Sequence, residues 1–409
     1  MRVTTAFNRM LAIPGGSVRS VWVESEGVVV ALRLRRRRLV CGRCGCLARG
    51  CYDRRRRRWR HLDLGGRRCW LEYELRRFSC PGCGRVVSEA VPWARPGARH
   101  TRAFDQLVAC LAQRMAKAPL AELLRISWTT VGRIIERSIE DVVSERRFDG
   151  LRRIGIDEVS FRRGHRYLTL VVDHDRGRIV WASEGARAKE SLDGFLEALG
   201  GERAARIEAI SIDMAPGYYQ ALRERLPQAA LCIDPFHVVR LANHALNLVR
   251  RHEWNRQGRS RTRTGRWLMG ARWALVTAPE RQSERQRNLL VELEQANHTL
   301  YSAYLLKEQL RALYRLPDPE QAPRLFDLWL DSARTSGLAA FERLADSLTR
   351  FRDSILAAIQ LGLSNGRLEG INAKVRLLSH RSFGFHSAKP LIALVYLCCG
   401  GIQLAPPLR

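Results

Sequence analysis

Residues 152–157 read Arg-Arg-Ile-Gly-Ile-Asp, and residues 209–213 read Ala-Ile-Ser-Ile-Asp. Each stretch is a short β-branched run that finishes in a carboxylate, which predicts two strands ending at Asp157 and Asp213. A third acidic residue, Glu369, lies in Asn-Gly-Arg-Leu-Glu-Gly-Ile-Asn, near the start of a predicted helix. Hard divalent cations take oxygen ligands, so these three carboxylates can together hold two Mg²⁺ (or Mn²⁺) ions over a phosphodiester.

The elements that surround the two aspartates have a characteristic order. After residue 150 the pattern predicts three strands, a helix, a strand, a helix and a strand, which is the order of an RNase H-like domain with a carboxylate on the first strand and another after the fourth. From His237 to about Ile359 the pattern is almost wholly helical. The seven predicted elements are Ile154–Phe161, Tyr167–Asp173, Ile179–Ser183, Ser191–Leu199, Ile207–Ile212, Tyr218–Leu226 and Ala230–Ile233.

Other acidic residues compete for the same site. Asp157 is followed by Glu158, and strand alternation should point their side chains to opposite faces, so only one can join the site and Asp157 is chosen. Asp173 and Asp175 fall in a predicted hairpin loop, where Asp is common in any case. Asp234 remains an alternative to Asp213 as the second ligand.

The charge of the chain predicts a polyanionic partner. The 409 residues include 70 basic and 41 acidic ones, a net charge of +29, and nucleic acid fits this excess better than acidic lipid does. The first residues have no signal-peptide pattern, and no apolar stretch is long enough to span a bilayer, so we expect a cytoplasmic, nucleoid-associated protein without membrane contact. Eleven Cys residues in such a compartment indicate metal binding or free thiols rather than disulfides.

Two CxxC pairs predict a structural zinc site in the N-terminal region. Their ligands are Cys41 with Cys44 and Cys80 with Cys83, and a small sheet should fill the 35 residues between the pairs. Cys46 and Cys51 stay open as competing ligands. The sequence between the pairs also carries an arginine run, in which Arg54, Arg55 and Arg56 are candidates for phosphate contacts or for a solvated basic face.

Residues 101–140 predict a helix-turn-helix. A first helix has an apolar face, a short helix with Leu120 and Leu124 follows, and a turn at 125–127 leads to a second long helix that Ser127 can cap. Val131, Ile134 and Ile135 should form the inner face of that helix. The alternative is an ordinary helical hairpin. The outward residues, which we predict to contact DNA, are Trp128, Thr129, Thr130, Arg133 and Arg137.

The helix that carries Glu369 has two faces in the sequence. Its apolar residues recur at helical spacing, and a polar stripe beside them includes Asn365, Asn372 and Arg376, which suit an active-site wall or a solvated surface. His237, in Asp-Pro-Phe-His, can bind metal or phosphate or be a core histidine, and the residues alone favour the core. We expect the tryptophans of the helical region to be core residues: Trp254, Trp267 and Trp273.

Six motifs in fixed order resemble those of the ISL-three (ISL3) family of bacterial insertion-sequence transposases, essentially from end to end. They are CGRCG (41–45), CPGCGR (80–85), GIDEVSFRRGHRYLTLVVD (155–173), SIDMAPGY (211–218), CIDPFHVVRLAN (232–243) and SNGRLEGINAKVRLLSHRSFGF (364–385). The resemblance implies a DDE transposase with Asp157, Asp213 and Glu369 at the acidic positions. It also implies that the helical stretch interrupts the nuclease fold. Asp234 and His237 match a DxxH element of related superfamilies, which makes a functional role of His237 an open alternative.

The sequence therefore predicts an α+β multidomain protein. The expected parts are a zinc ribbon (1–95), a helix-turn-helix (96–148), an RNase H-like core (149–236 and 361–409) and an all-helical insertion (237–360). The expected function is Mg²⁺-dependent cleavage and joining of double-stranded DNA at terminal inverted repeats and target DNA, by at least a dimer on DNA. The alternatives are a catalytically silent or domesticated DNA-binding regulator and a nuclease of the same fold that does not join strands.

Overall fold

The computed structural model of the chain describes residues 2–162, 166–185, 188–382 and 384–407. The chain forms two compact units. The first comprises Met1–Ser144 with Ala393–Arg409, and the second comprises Glu145–Ile392. No helix in the described ranges has both the length and the apolar character needed to cross a membrane.

The first unit combines a sheet with three helices that follow it. Its elements in chain order are α1 (Val3–Leu11), β1 (Gly16–Glu24), β2 (Gly27–Leu34), β3 (Leu39–Val40), β4 (Leu47–Ala48), β5 (Asp53–Leu64), β6 (Arg67–Ser79), β7 (Val86–Ser88), α2 (Arg102–Ala112), α3 (Lys117–Leu124) and α4 (Trp128–Val142).

The large sheet of this unit has the order β1-β2-β6-β5, with β7 paired to β6. Strands β2 and β6 are parallel, and the other pairs are antiparallel. The hairpin of β5 and β6 turns at Gly65 and Gly66, whose φ angles of 55° and 77° suit glycine, as a two-residue hairpin turn requires. This hairpin is the sheet that the sequence predicted between the two CxxC pairs. One face packs on a core that includes Trp59, Leu71 and Trp93.

The three helices α2, α3 and α4 form the predicted helix-turn-helix. Helix α3 ends at Arg125, which is left-handed with φ 54°, and Ser127 caps α4 by accepting a hydrogen bond from the Thr130 N–H. The predicted inner face is confirmed, because Val131, Ile134 and Ile135 are almost completely buried. The turn therefore lies at the residues that the sequence indicated.

The second unit begins with a mixed sheet and continues in helices. Its strands are β8 (Arg153–Arg162), β9 (Arg166–Asp173), β10 (Arg178–Gly185), β11 (Ala209–Ile212) and β12 (Ala230–Ile233). Its helices, with α17 reaching into the first unit, are α5 (Ala188–Leu199), α6 (Gly201–Ala204), α7 (Pro216–Arg225), α8 (Pro235–Arg256), α9 (Arg263–Gly270), α10 (Arg272–Val276), α11 (Glu284–Ala296), α12 (His298–Ala312), α13 (Ala322–Arg334), α14 (Ala339–Thr349), α15 (Arg352–Leu361), α16 (Gly366–Arg381) and α17 (Ala388–Cys399).

The five strands lie in the order β10-β9-β8-β11-β12. Strands β10, β9 and β8 are antiparallel neighbours, whereas β8, β11 and β12 run parallel. Parallel strands need crossover connections, and the helices α5 and α7 provide them between β10 and β11 and between β11 and β12. The predicted succession of three strands, helix, strand, helix and strand is observed, with the short α6 added after α5.

Asp157 lies inside a strand, as the predicted element Ile154–Phe161 has it, and not at a strand end, as the β-branched run before it suggests. Asp157 lies in the middle of β8, because β8 continues to Arg162 in antiparallel pairing with β9. Only the parallel pairing with β11 stops before it, at Gly155. A β-branched run predicts a strand. It does not predict how far the pairing with each of the two neighbouring strands extends.

Helices α8 to α15 lie in the chain between the last strand and α16. They share one buried core with the sheet, to which Phe326, Phe341 and Ile355 contribute. The expectation of core tryptophans holds in part, since Trp254 and Trp267 pack against this core. It is wrong for Trp273, whose surface is 64% exposed because Ala274 and Leu275 provide the buried side of α10.

Candidate functional site

Asp157 lies in β8, and Asp213 directly follows the last residue of the neighbouring parallel strand β11. The register pairs Ser211 of β11 with Gly155 of β8, and continuing it by two residues brings Asp213 beside Asp157. Neighbouring strands are about 4.8 Å apart, so the two backbones are close. Alternation gives Asp157 the face of the sheet that Gly155 and Ser211 occupy, and Asp213 is close enough for its charge to act on Asp157.

Helix α16 covers this face of the sheet. A Cβ atom at Gly155 would lie 2.5 Å from Leu368 Cδ1 and 2.8 Å from His174 Nε2, so a larger residue there would force these side chains to shift. Further along the helix, Asn372 is buried and donates a hydrogen bond of 2.6 Å from Nδ2 to Asp157 Oδ2. The polar stripe predicted on α16 thus includes one residue that holds the carboxylate of Asp157.

Glu369 is exposed in the first turn of α16. It precedes Asn372 by three residues, a spacing that puts the two side chains on the same side of a helix. Because Asn372 touches Asp157, Glu369 lies at the border of the same site. The carboxylate oxygens of Asp157, Asp213 and Glu369 do not all lie within 4.8 Å of one another. Among the described residues, the group of His, Cys, Asp and Glu ligand atoms that lie within 4.8 Å of one another consists of four cysteines.

A buried polar network fixes the start of α16. The Ser211 hydroxyl donates to Asn365 Oδ1 and lies 2.6 Å from His174 Nε2, while Arg367 donates to the His174 carbonyl. Asn365, Ser211 and His174 are all buried. Burial and then the charge of Arg367 lower the pKa of His174 to about 4, so the ring is neutral near pH 7. The network ties the helix that carries Glu369 to the sheet that carries the aspartates.

Asp234 joins the same network from the end of β12. Its Oδ1 accepts a hydrogen bond of 3.0 Å from the Asn365 backbone N–H, and its Oδ2 is buried without a hydrogen-bond partner. His237 Nε2 lies 3.8 Å from that oxygen, and Arg240 Nη2 lies 3.1 Å from His237 Nδ1. His237 is half-buried at the edge of the site rather than in the core.

Electrostatics link Asp157 to the neighbouring groups. Burial raises the pKa of Asp157, and the negative charge of Asp213 adds to the rise. The Glu158 N–H, the Asn372 amide and the charge of His237 lower the pKa of Asp157 but do not cancel the rise. The charges of Asp213 and His237 are therefore near enough to act on the carboxyl group of Asp157.

The competing carboxylates have other partners. Glu158 accepts a hydrogen bond of 2.9 Å from the Tyr218 hydroxyl of α7, away from α16. Asp173 is buried in the β9–β10 turn and accepts hydrogen bonds from the N–H groups of Asp175 and Arg176. The Asp175 carboxylate accepts hydrogen bonds from Arg153. These contacts account for the three acids without any role in the site.

The four predicted cysteines gather at the β3–β4 end of the first unit. All four thiols lie within 4.8 Å of one another, with 3.5 Å between the sulfurs of Cys44 and Cys80 and 4.0 Å between those of Cys41 and Cys83. Zinc–sulfur bonds of about 2.3 Å in a tetrahedron require sulfurs about 3.8 Å apart. The geometry of this cluster supports a structural zinc ion.

The thiolate form of Cys41 is favoured by its surroundings. Burial opposes ionisation, but the backbone N–H groups of Cys44 and Arg43 donate to Cys41 Sγ, at 3.4 Å and 3.3 Å, and the pKa falls to about 6. Cys46 and Cys51, the alternative ligands, are not in the cluster. Their thiols contact the carbonyls of Leu47 and Asp53 instead.

Helix α4 presents most of the predicted DNA-contacting residues to solvent. Trp128, Thr129 and Arg133 are exposed, and Thr130 is half-buried. Arg137 differs, because its Nη2 lies 3.8 Å from a carboxylate oxygen of the buried Asp105 in α2. Arg137 is therefore half-buried between α4 and α2, whereas Arg133 is exposed.

The arginine run occupies strand β5 rather than a loop. Arg54 and Arg56 point to one face of the sheet, where they lie 3.9 Å and 3.6 Å from Glu74 and Glu72. Arg55 alternates to the other face, is exposed and has no acidic partner among the described residues. All three guanidinium groups remain accessible, although two of them already have carboxylate neighbours.

Sequence reasoning missed the contacts that organise the site from beneath. Ser211 alternates with Asp213 along β11, so the β-period of two is a signal that was available for it. His174 follows β9 in a turn, and no local pattern distinguishes it from a surface histidine. For Asp234 the sequence indicates a competing ligand and a DxxH match but not the contact with α16, because its partner Asn365 lies 131 residues away.

Comparison with known proteins agrees with this organisation. A transposase family model for the ISL3 DDE region matches residues 154–395, a helix-turn-helix domain of transposase family ISL3 matches 89–139, and the zinc-finger of the IS204/IS1001/IS1096/IS1165 transposases matches 37–83.

Two relatives cover almost the whole chain. The transposase for insertion sequence element IS1557 of Mycobacterium tuberculosis is 44% identical over 94% of this chain and 91% of that protein. The transposase for insertion sequence element IS1001 of Bordetella parapertussis is 28% identical over 90% of this chain and 91% of that protein. The transposase family model covers more than half of the chain, and the relative with 44% identity covers nearly all of it. The chain therefore belongs to the ISL3 family of insertion-sequence transposases.

Proposed function

We propose that the chain cleaves DNA strands at the ends of an insertion sequence and joins them to target DNA, in a divalent-metal-dependent reaction at Asp157, Asp213 and Glu369. The proposal is supported by two observations: Asp213 follows β11, the parallel neighbour of the strand that contains Asp157, and Asn372 of helix α16 donates a hydrogen bond to Asp157. The strand and helix order supports an RNase H-like core, which residues 237–360 would interrupt as a helical insertion.

The donor set fits Mg²⁺ or Mn²⁺. Carboxylate oxygens are the ligands that hard divalent cations prefer, and the repulsion between Asp157 and Asp213 is of the kind that a bound cation relieves. Asp157, Asp213 and Glu369 would hold the ions, with Glu369 contributed by the first turn of α16. When bound, such a pair supplies activation of the attacking hydroxyl and stabilisation of the leaving oxygen in an in-line displacement.

The residues of the chain have distinct tasks in this proposal. Asn372 orients Asp157 by donating to Oδ2, which leaves Oδ1 to the Glu158 N–H and to a ligand. His237 sits at the edge of the site, where it can contact a phosphate oxygen. Because the first nucleophile is water and the second a DNA 3′ hydroxyl, one acidic site can serve cleavage and joining.

Binding of the terminal inverted repeats belongs to the first unit. Trp128, Thr129, Thr130 and Arg133 on α4 would enter a groove, and the arginines of β5 would contact phosphates. Cutting two element ends in concert requires at least two copies of the chain on the DNA.

The amide variants Asp157→Asn, Asp213→Asn and Glu369→Gln test the proposal. Each keeps the shape of the side chain but removes the charge that holds a divalent cation, so we expect each to abolish both cleavage and joining of labelled element ends in Mg²⁺. Binding to the ends should persist. The matched control is Glu158→Gln, next to Asp157 but bound to Tyr218, which should retain activity.

Three outcomes would contradict parts of the proposal. Robust joining by Asp213→Asn would remove Asp213 from the site and make Asp234 the replacement to test. Cleavage without any joined product by the unaltered protein would identify a nuclease. Loss of binding in all three amide variants would show that the acids support the fold instead of the chemistry.

A further inference from the structure

A cavity of about 640 Å³ opens on the sheet of the first unit, outside the zinc cluster and the helix-turn-helix. Guanidinium groups from β1, β2, β5, β6 and the loop after β2 line it, while Glu74 is the single carboxylate among its lining residues. The arginines that share this cavity are Arg19, Arg33, Arg36, Arg54 and Arg76. Five cations and one anion leave a net charge of about +4 in one concave surface.

Three of these cations, Arg19, Arg33 and Arg36, have no carboxylate partner among the described residues. Arg76 is held by the buried Glu89 through a bond of 2.7 Å, and Arg54 lies 3.9 Å from Glu74. Arg19 and Arg33 are exposed and have no acidic partner in the described part of the chain. The positive charge that Glu74 and Glu89 do not neutralise is therefore located on Arg19, Arg33 and Arg36.

Arg36 supplies a further unsatisfied donor. Its Nη2 donates to the Ala90 carbonyl, which fixes the guanidinium, whereas its Nε is buried and has no hydrogen-bond partner. A buried N–H without a partner is unfavourable, and the oxygen of an incoming anion can satisfy it. Arg36 therefore adds a fixed cation with one unsatisfied N–H to the exposed Arg19 and Arg33 that line the same cavity.

The ligand chemistry that fits is a phosphate group. Guanidinium groups match phosphate oxygens in charge and in the geometry of their donors. Free phosphate and the phosphodiester of a nucleic acid share this chemistry. The phosphodiester is favoured because Arg56, which is exposed on the same face of β5 as Arg54, continues the basic surface beyond the cavity, as an extended polyanion requires.

We propose that this basic cavity, formed by Arg19, Arg33, Arg36, Arg54 and Arg76, binds the DNA backbone as an anchoring site separate from the helix-turn-helix. The inference rests on the proposed binding of DNA by the first unit. It assigns to β1 and β2, which precede the matched zinc-finger segment 37–83, a part in that binding. A backbone contact holds DNA of any sequence, so the cavity contributes affinity and not base recognition.

The test uses the full chain with Arg19→Ala and Arg33→Ala combined. Binding of a labelled element-end duplex and of a random duplex is measured over a series of salt concentrations. Each lost phosphate contact lowers the slope of log affinity against log salt by about 0.9, so we expect a decrease of about 1 to 2 on both duplexes. The matched control combines Arg67→Ala and Arg85→Ala, two exposed arginines of the same unit that lie outside the cavity and lack an acidic partner among the described residues.

A second variant, Arg19→Lys with Arg33→Lys, keeps the charge and should restore the salt slope with weaker binding. An unchanged slope in the alanine pair, or an equal decrease in the control pair, would overturn the proposal. A third outcome would also overturn it: calorimetry shows that the unaltered protein binds inorganic phosphate and the alanine pair does not, while the salt slope for DNA is the same in both. Cleavage by the unaltered protein at saturating DNA is scored separately, so a failure of the proposed chemistry does not affect this result.

Discussion

Asp234 connects two parts of the chain that are remote in sequence. Its Oδ1 accepts from the Asn365 N–H at 3.0 Å, and its Oδ2 faces His237 without a hydrogen bond. One oxygen is thus committed to the N-terminus of α16, whose first turn carries Glu369. A carboxylate used in this way positions a helix, which favours a supporting role over direct metal binding.

Two substitutions of Asp234 should behave differently for this reason. Asp234→Asn keeps an oxygen acceptor for the Asn365 N–H, so we expect strand cleavage with an unchanged Mg²⁺ requirement. Asp234→Ala leaves that N–H buried without a partner, at a cost of about 1–3 kcal/mol, and should reduce cleavage and thermal stability. The measurements are initial rates across a Mg²⁺ series and the melting temperature. If Asp234→Asn needs far more Mg²⁺, Asp234 is a ligand after all.

Single residues show how far the sequence could predict the site. Asp157 and Asp213 stand out because a β-branched run before a carboxylate is a local pattern, and Asn372 follows from the helical period around Glu369. His174 could not be assigned, because its role depends on a contact with Ser211, which in turn donates to Asn365 at the start of α16. Local patterns reveal which residues share a face, whereas long-range packing decides which of them meet.

At the scale of elements, helix α4 separates two kinds of arginine. Arg133 is exposed and carries no ion pair among the described residues, whereas Arg137 is drawn toward the buried Asp105 at 3.8 Å. The helical period placed both on the outer side, but it could not anticipate a buried carboxylate on α2. For a residue at the edge of the polar face of a helix, the neighbouring elements decide whether the side chain is exposed or buried.

We expect Arg133→Ala to relax sequence preference more than it weakens binding to random DNA. A lost bidentate base contact costs about 1–3 kcal/mol of discrimination. Arg137→Ala should instead lower the stability of the helix-turn-helix and weaken binding on all sequences alike. Affinities for element-end and random duplexes, with melting temperatures, distinguish the two. Uniform weakening by Arg133→Ala would assign Arg133 to phosphate positioning.

The short strands β3 and β4 form an element that its own residues cannot stabilise. They pair over two residues each, and their small core consists mainly of Leu39, Phe78 and cysteine side chains. A bound ion contributes the missing energy in such small modules, since metal binding and folding are coupled. The sequence predicted this site well because CxxC spacing encodes the geometry locally.

Cys80→Ser should therefore remove zinc from the full chain and unfold this module, with loss of DNA binding. Cys51→Ser is the matched control, because Cys51 is exposed and lies outside the cluster. Metal content and protection of β3 and β4 amides from hydrogen exchange provide the measurements. Less than one zinc per unaltered chain, or protection that survives chelation, would contradict the prediction.

At the scale of the whole molecule, the C-terminal residues belong to the first unit although they follow the second in sequence. Residues 393–399 of helix α17 are part of this unit, and the residues after the helix contact α2. Gln113 Nε2 donates to the carbonyls of Leu397 and Ile402 at 2.8 Å and 2.9 Å, and Gln106 Nε2 donates to Ala405 at 3.0 Å. No sequence pattern predicted these contacts, because a side-chain amide can donate a hydrogen bond to any backbone carbonyl within reach.

A chain shortened after Cys399 should therefore weaken the helix-turn-helix while α17 remains. Gln106 and Gln113 lose acceptors at Ala405 and Ile402, and a typical hydrogen bond contributes about 0.5–1.5 kcal/mol. We expect faster hydrogen exchange in α2 and weaker binding to element ends, with exchange in β8 and β11 unchanged. Gln113→Ala in the full chain should give a smaller effect of the same kind. Equal protection of α2 in the shortened and full chains would show that the first unit holds its DNA-binding helices without the returning segment.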